Sequence, residues 1–114
     1  ATNSARYCPV PGGGQPDAAA MIAAIEACTN HSLEAMVGKP SSYMAEAILG
    51  LLKLPPEQCL LTGDRLETDV QLGLNAGMAT ALALTGATSP QALAASPIQP
   101  RYVLRQLADL LPEN

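Results

Sequence analysis

Two carboxylates five positions apart follow an apolar run that ends at a glycine: Leu60-Leu61-Thr62-Gly63-Asp64-Arg65-Leu66-Glu67-Thr68-Asp69. That order predicts a buried parallel strand carrying Asp64 to its carboxyl end, where open α/β sheets keep their ligand sites. Asp69 then falls on the first turn of the next helix and can lean back to the same crevice. Paired carboxylates there suit a hard cation such as Mg²⁺, which takes oxygen ligands and keeps several waters. The same two residues also fit a plain helix start, with Asp64 as the cap and Asp69 as a first-turn acid favoured by the helix dipole. A single lysine stands in Gly38-Lys39-Pro40-Ser41, between a predicted strand and a predicted helix. Beside two carboxylates and a cation, its ammonium would neutralise phosphoryl oxygens; alone, it reads as a solvated loop residue. Thr85-Gly86 closes the following strand, and a right-handed α/β connection brings all three loops to one edge of the sheet. Arg65 and Glu67 read as surface or rim residues.

The elements that must position these groups are legible in outline. Residues 1–16, with Pro9, Pro11, Gly12, Gly13, Gly14 and Pro16, read as a loop, with room for the tail of a strand before it. Asp17 to Cys28 reads as a helix begun by an N-cap acid, with Met21, Ile22 and Ile25 at apolar spacing and Asn30 as its stop. Leu33–Val37 is a short strand candidate. A second helix, capped by Ser41 or Ser42, runs to about Leu52 with Met44, Ile48 and Leu51 on one face. After the turn Leu54-Pro55-Pro56-Glu57 come a strand over 59–62, a helix over 68–76 ended by Gly77, a strand over 79–84, a short helix over 90–95, an edge strand over 102–104 and a helical turn over 106–111. Strand and helix alternate through short loops, the pattern of an α/β fold with a parallel sheet.

Composition bounds the rest. The chain has 114 residues, 48% of them apolar but with no Phe or Trp, so a core must be built from Leu, Ala, Val and Met. A net charge of −4 without any Lys/Arg run speaks against nucleic acid as a partner. No apolar run approaches the ~18 residues of a membrane span, and no secretory leader is visible. Cys8, Cys28 and Cys59 are odd in number and lack metal-ligand spacing, which fits a reduced, cytoplasmic protein with buried or idle thiols. His31, the only histidine, lies beside Asn30 in a predicted turn and reads as a surface residue.

Four segments together resemble one family. Val37-Gly38-Lys39-Pro40-Ser41-Ser42-Tyr43-Met44, Gly63 to Asp69, Leu84-Thr85-Gly86, and Ser96-Pro97-Ile98-Gln99-Pro100-Arg101-Tyr102-Val103 are similar to the haloacid dehalogenase (HAD) superfamily, subfamily IIA, the NagD or p-nitrophenylphosphatase type with a C2 cap. Ala1-Thr2-Asn3, the Pro/Gly loop and the Ala-rich helix resemble the stretch that precedes the lysine loop there. Ser4, Ser42 and Thr62 depart from the usual residues without touching the charged positions. The resemblance implies a partial Rossmann-like core, a three-layer α/β/α arrangement with a parallel sheet. It implies Lys39 as the lysine that steadies the nucleophile and binds the phosphoryl group, and Asp64 as a direct Mg²⁺ ligand. Asp69 becomes a catalytic carboxylate in the metal's outer shell, paired with the lysine. The implied reaction is phosphate monoester hydrolysis through an aspartyl-phosphate, on a small phosphorylated metabolite that fold analogy does not choose.

The resemblance also exposes a gap. The family's attacking carboxylate lies in an Asp-x-Asp motif on the first core strand, and no Asp-x-Asp occurs in these 114 residues. The expectation is a C-terminal portion of a longer protein, with residues 1–32 as the end of the cap and a connecting helix, and 33–114 as the C-terminal half of the core. The nucleophile strand would lie beside the strand that ends at Asp64, so its absence leaves an apolar flank and an open edge. Such an edge predicts a homo-oligomer or association with the missing N-terminal half. Two alternatives stand beside this reading. One is a non-catalytic α/β fragment or oligomerisation remnant without turnover. The other is a receiver-like phosphoacceptor domain, disfavoured because no acid precedes the lysine at a strand end.

Overall fold

A computed structural model describes residues 1–111; the last three residues of the expected 33–114 unit lie outside the described residues. Its chemistry-bearing half is built on three parallel strands, β3 (Leu60–Gly63), β4 (Ala79–Ala83) and β5 (Tyr102–Leu104), in the order β3-β4-β5. Leu60 pairs with Ala79 and Gly63 with Leu82, while Ala81 pairs with Tyr102 and Ala83 with Leu104. Parallel pairing of strands joined by helices is the α/β arrangement expected from the sequence.

β4 is the central strand, and its residues show why. Thr80, Ala81 and Leu82 are fully buried, small or β-compatible side chains enclosed on both faces. A buried cluster joins Leu82 to Leu66 and Val70, with Leu84, Leu93 and Ile98 packed against it. Burying each such aliphatic side chain contributes roughly 1.5–3 kcal/mol, so this cluster anchors the segment that carries Asp69. Thr80 is buried without penalty because its hydroxyl accepts the Arg101 N–H at 3.0 Å.

The helix between β3 and β4 departs from the expected single α-helix over 68–76. Leu66–Val70 forms a π-helical turn and α3 proper is Gln71–Ala76, ended by Gly77 in the left-handed conformation at φ 74. The Asp69 and Val70 N–H groups share the Arg65 carbonyl, each at 3.1 Å. Leu66, Asp69 and Val70 are all buried on this turn, the first and last in the apolar cluster, and such π turns recur at functional sites.

α1 (Ala18–Thr29) and α2 (Ser42–Leu52) start where capping chemistry places them. The Asp17 carboxylate accepts the Ala18 N–H at 2.7 Å, the Ser41 hydroxyl accepts the Tyr43 N–H at 3.3 Å, and Asn30 ends α1 at φ 56. α4 (Pro90–Ala95) is capped in the same way by Ser89.

Several expectations need correction. Residues 1–16 are not all loop: β1 (Tyr7–Val10) and β2 (Gly13–Pro16) form an antiparallel hairpin. The Pro11-Gly12 pair suits a type II turn, in which the second residue takes positive φ, and Gly12 sits at φ 84. Leu33–Val37 is not a strand among the described residues. Its main-chain partners are scattered rather than laddered: Ala1 N–H donates to Ala35 O and Val37 N–H to Ala1 O, both at 2.8 Å, and Leu33 N–H donates to the Glu26 carboxylate at 2.6 Å. The expected apolar faces of α1 and α2 are only partly used. No residue of α1 is buried, Met21 and Ile25 are about 60% exposed, and Leu51 is 84% exposed while Ala45 is the buried residue of α2. Cys8 and Cys28 are exposed thiols, Cys59 is half-buried, and all three are free.

Candidate active-site cleft

Asp69 is the most constrained polar side chain of the cleft. It is 5% exposed and both carboxylate oxygens are occupied. Oδ1 accepts from Lys39 Nζ at 2.7 Å, and Oδ2 accepts from the Asp64 and Arg65 main-chain N–H groups, each at 3.1 Å. Burial pushes its pKa up, but the Lys39 hydrogen bond, the Arg65 and Asp64 N–H groups and the lysine charge outweigh that and hold the carboxyl below the ordinary value. Asp69 thereby ties the Lys39 loop to the carboxyl end of β3. Gly63 is required for this approach, because a Cβ there would collide with the Asp69 carboxylate.

Asp64, the first residue beyond β3, is held from the opposite side by the loop after β4. Its Oδ2 accepts the Ala87 N–H at 2.7 Å, and its main-chain carbonyl accepts both the Thr88 N–H at 3.1 Å and the Thr88 hydroxyl at 2.6 Å. Here too a glycine makes room: a Cβ on Gly86 would occupy the place of the Asp64 carboxyl. Asp64 Oδ1 has no protein donor among the described residues.

Lys39, Asp64 and Asp69 therefore line one open cleft of about 1320 Å³, which the segment Thr2 to Tyr7 also lines. Lys39 is half-exposed, so its ammonium reaches Asp69 while remaining open to a ligand. Arg65 and Glu67 are exposed on the rim, and His31 lies elsewhere, on the surface beside α1. Of the Thr85-Gly86 loop expected at this sheet edge, Thr85 makes none of these contacts, while Gly86 makes room for Asp64 and Ala87 and Thr88 donate to it. Sequence reasoning missed Ala87 and Thr88 because their roles depend on main-chain groups and on contacts 23 and 24 positions away.

The donor set is all oxygen, which suits Mg²⁺ rather than a softer ion. Among the described residues no group of three His, Cys, Asp or Glu side chains converges on one point. The residues present thus fit part of a Mg²⁺ site: Asp64 offers one free carboxylate oxygen, and Asp69 stands behind it already committed to Lys39.

Residues 36–110 match the family model described as HAD-hydrolase-like. The chain is 39% identical over 112 residues to the sugar-phosphatase AraL of Bacillus subtilis (strain 168), covering 96% of this chain and 40% of that protein. It is 37% identical over 105 residues to chronophin of Homo sapiens, covering 87% and 35%. Its structure resembles that of 4-nitrophenylphosphatase from Thermotoga maritima with a TM-score of 0.84 at 38% identity, covering 94% of this chain and 41% of the other. NagD from E. coli K-12 gives a TM-score of 0.80 at 27% identity, covering 96% and 42%. The chain thus spans about 40% of the length of the relatives it matches. A family model matched across the lysine loop, the acidic motif and β3 to β5, on the fold of NagD- and p-nitrophenylphosphatase-type proteins, establishes that this chain belongs to the HAD-like hydrolases.

Proposed function

We propose that this chain is the lysine and metal-ligand part of a Mg²⁺-dependent phosphate monoester hydrolase. The observation that carries the reading is the convergence of Lys39, Asp69 and Asp64 on one cleft, bridged by the 2.7 Å Lys39–Asp69 ion pair. The phosphatase names of the relatives support it.

Each residue has a distinct task. Lys39 places a positive charge beside the transferring phosphoryl group, stabilising charge that grows in the transition state. Asp69 orients Lys39 and, through the N–H groups of Asp64 and Arg65, fixes the turn on which Asp64 stands. Asp64, with one carboxylate oxygen free of protein donors among the described residues, would hold Mg²⁺ together with groups from elsewhere. The chemistry such an ion would supply there is polarisation of the phosphoryl oxygens. In this reading the attacking carboxylate, which forms the aspartyl-phosphate and is regenerated when water cleaves it, comes from outside these 114 residues, which contain no Asp-x-Asp. The substrate is a small phosphorylated metabolite, and the enzyme works in the cytoplasm.

The same reading includes an association. Among the described residues β3 pairs with β4 alone, and Leu60 on β3 is 42% exposed. Its open edge accepts a strand that carries the attacking carboxylate, either from a longer polypeptide or from a second chain; residues 1–32 belong with a cap and 33–114 with the core. The 114-residue chain alone is without turnover. The test is p-nitrophenyl phosphate hydrolysis by the whole polypeptide that contains this chain. Lys39→Met should lower kcat/KM by about 10²–10³-fold, the cost of removing one preorganised charge from the transition state. An unchanged kcat/KM removes Lys39 from the chemistry and overturns the proposal.

A further inference from the structure

We infer that Thr88 is a positioning residue for Asp64: it fixes the main chain of Asp64 so that Ala87 can hold one carboxylate oxygen and leave the other facing the cleft. Thr88 is 7% exposed, and its hydroxyl donates to the Asp64 carbonyl at 2.6 Å, the same carbonyl that accepts the Thr88 N–H at 3.1 Å. Its neighbour Ala87 donates to Asp64 Oδ2 at 2.7 Å. Three hydrogen bonds from two consecutive residues therefore grip one aspartate at both its main chain and its side chain. A carboxylate at a strand end otherwise swings about two side-chain torsions. The Ala87 bond removes that freedom, but only while the carbonyl held by Thr88 keeps the Asp64 backbone in register with the loop after β4. Gly86 completes the device by leaving space for the carboxyl.

The chemistry of threonine at this place is specific. A valine fills the same volume and keeps the main-chain N–H bond, but loses the second donor. Serine keeps the donor and loses only a methyl group. The proposal rests on the reading of Asp64 as the cleft-facing carboxylate, and its consequence for Mg²⁺ rests on the proposed function.

The test uses amide hydrogen exchange and a Mg²⁺ titration on the whole polypeptide that contains this chain, with Thr88→Val and Thr88→Ser. Thr88→Val should speed exchange at Ala87 by about fivefold to tenfold, the loss of about one net hydrogen bond. Leu82, in the centre of β4, should change less, and Thr88→Ser should keep Ala87 near its original rate. Equal acceleration at Ala87 and Leu82 would show a merely structural role and overturn the inference, as would an Ala87 rate untouched by Thr88→Val. In the titration, followed at the Asp64 and Ala87 amides, Thr88→Val should weaken apparent Mg²⁺ affinity about fivefold, with Thr88→Ser restoring it. Should the unaltered protein give no Mg²⁺-dependent shift, the metal reading of Asp64 falls, and the exchange comparison still decides the role of Thr88.

Discussion

Replacing Asp69 by asparagine separates charge from shape at the centre of the cleft. The side chains are nearly the same size, yet asparagine has one acceptor oxygen where Asp69 uses two. Its best orientation keeps the oxygen toward the Asp64 and Arg65 N–H groups and turns the amide NH₂ toward the Lys39 ammonium. The ion pair is then lost and two charge-assisted hydrogen bonds become neutral ones. Lys39 is half-exposed, so its share is that of a partly solvated pair, about 1 kcal/mol or less. Weakening the two main-chain bonds adds roughly 0.5–1 kcal/mol each. The sum is about 1–3 kcal/mol, or roughly 4–12 °C in Tm for a chain of this size. Thermal melts followed by circular dichroism at pH 7 measure it, and the cycle with Lys39→Met isolates the pair.

The pH dependence gives the sharper check. The folded pKa of Asp69 lies below its unfolded value, so its ionised form stabilises the fold fully above the ordinary aspartate pKa of about 3.9. That contribution disappears as the pH falls through the lower, folded pKa. The stability gap between the parent chain and Asp69→Asn should therefore be constant near neutrality and shrink below about pH 4. A gap below about 0.5 kcal/mol at pH 7, or one just as large at pH 3, would refute the reasoning, because the effect would then not come from the carboxylate's charge.

Other outcomes follow from the same contacts. Gly63→Ala should push the Asp69 carboxylate from its place, costing about 1–3 kcal/mol and loosening the Asp64 and Arg65 amides in hydrogen exchange. Gly86→Ala should displace the Asp64 carboxyl instead, so Mg²⁺-dependent activity of the whole polypeptide should fall while the Lys39–Asp69 contribution to Tm stays. Leu82→Ala, at the centre of the buried cluster, should lower stability by about 2–5 kcal/mol in denaturant melts.

The elements that position the site were legible where local chemistry sets them. Asp17, Ser41 and Ser89 start their helices by capping, and Gly77 ends α3; each signal is carried within a few residues. The run Leu60–Gly63 was legible as a strand because apolar residues stop at a glycine that the Asp69 carboxylate then requires. The π turn at Leu66–Val70 was not, since it arises from seating Leu66 and Val70 in the core while Asp69 takes three hydrogen bonds, which no local pattern encodes. Thr88 escaped for the same reason. A buried threonine in a Gly/Ser/Pro loop looks like turn chemistry until the carbonyl it grips, 24 positions earlier, is brought beside it. Leu33–Val37 has strand-like composition without a strand, because strand propensity is a statement about neighbours and its main-chain groups meet Ala1 and the Glu26 side chain rather than a paired strand. The faces of α1 and α2 show the converse: apolar spacing on a helix tells what can be buried, not what is.

The most direct test of the central claim is a Mg²⁺ titration of p-nitrophenyl phosphate hydrolysis by the whole polypeptide, with and without Asp64→Asn, alongside Mn²⁺ binding by electron paramagnetic resonance. The account predicts no turnover after chelation, recovery on adding Mg²⁺, and loss of both turnover and Mn²⁺ binding in Asp64→Asn. Hydrolysis that survives chelation, or an Asp64→Asn variant that binds Mn²⁺ and turns over as before, would contradict it.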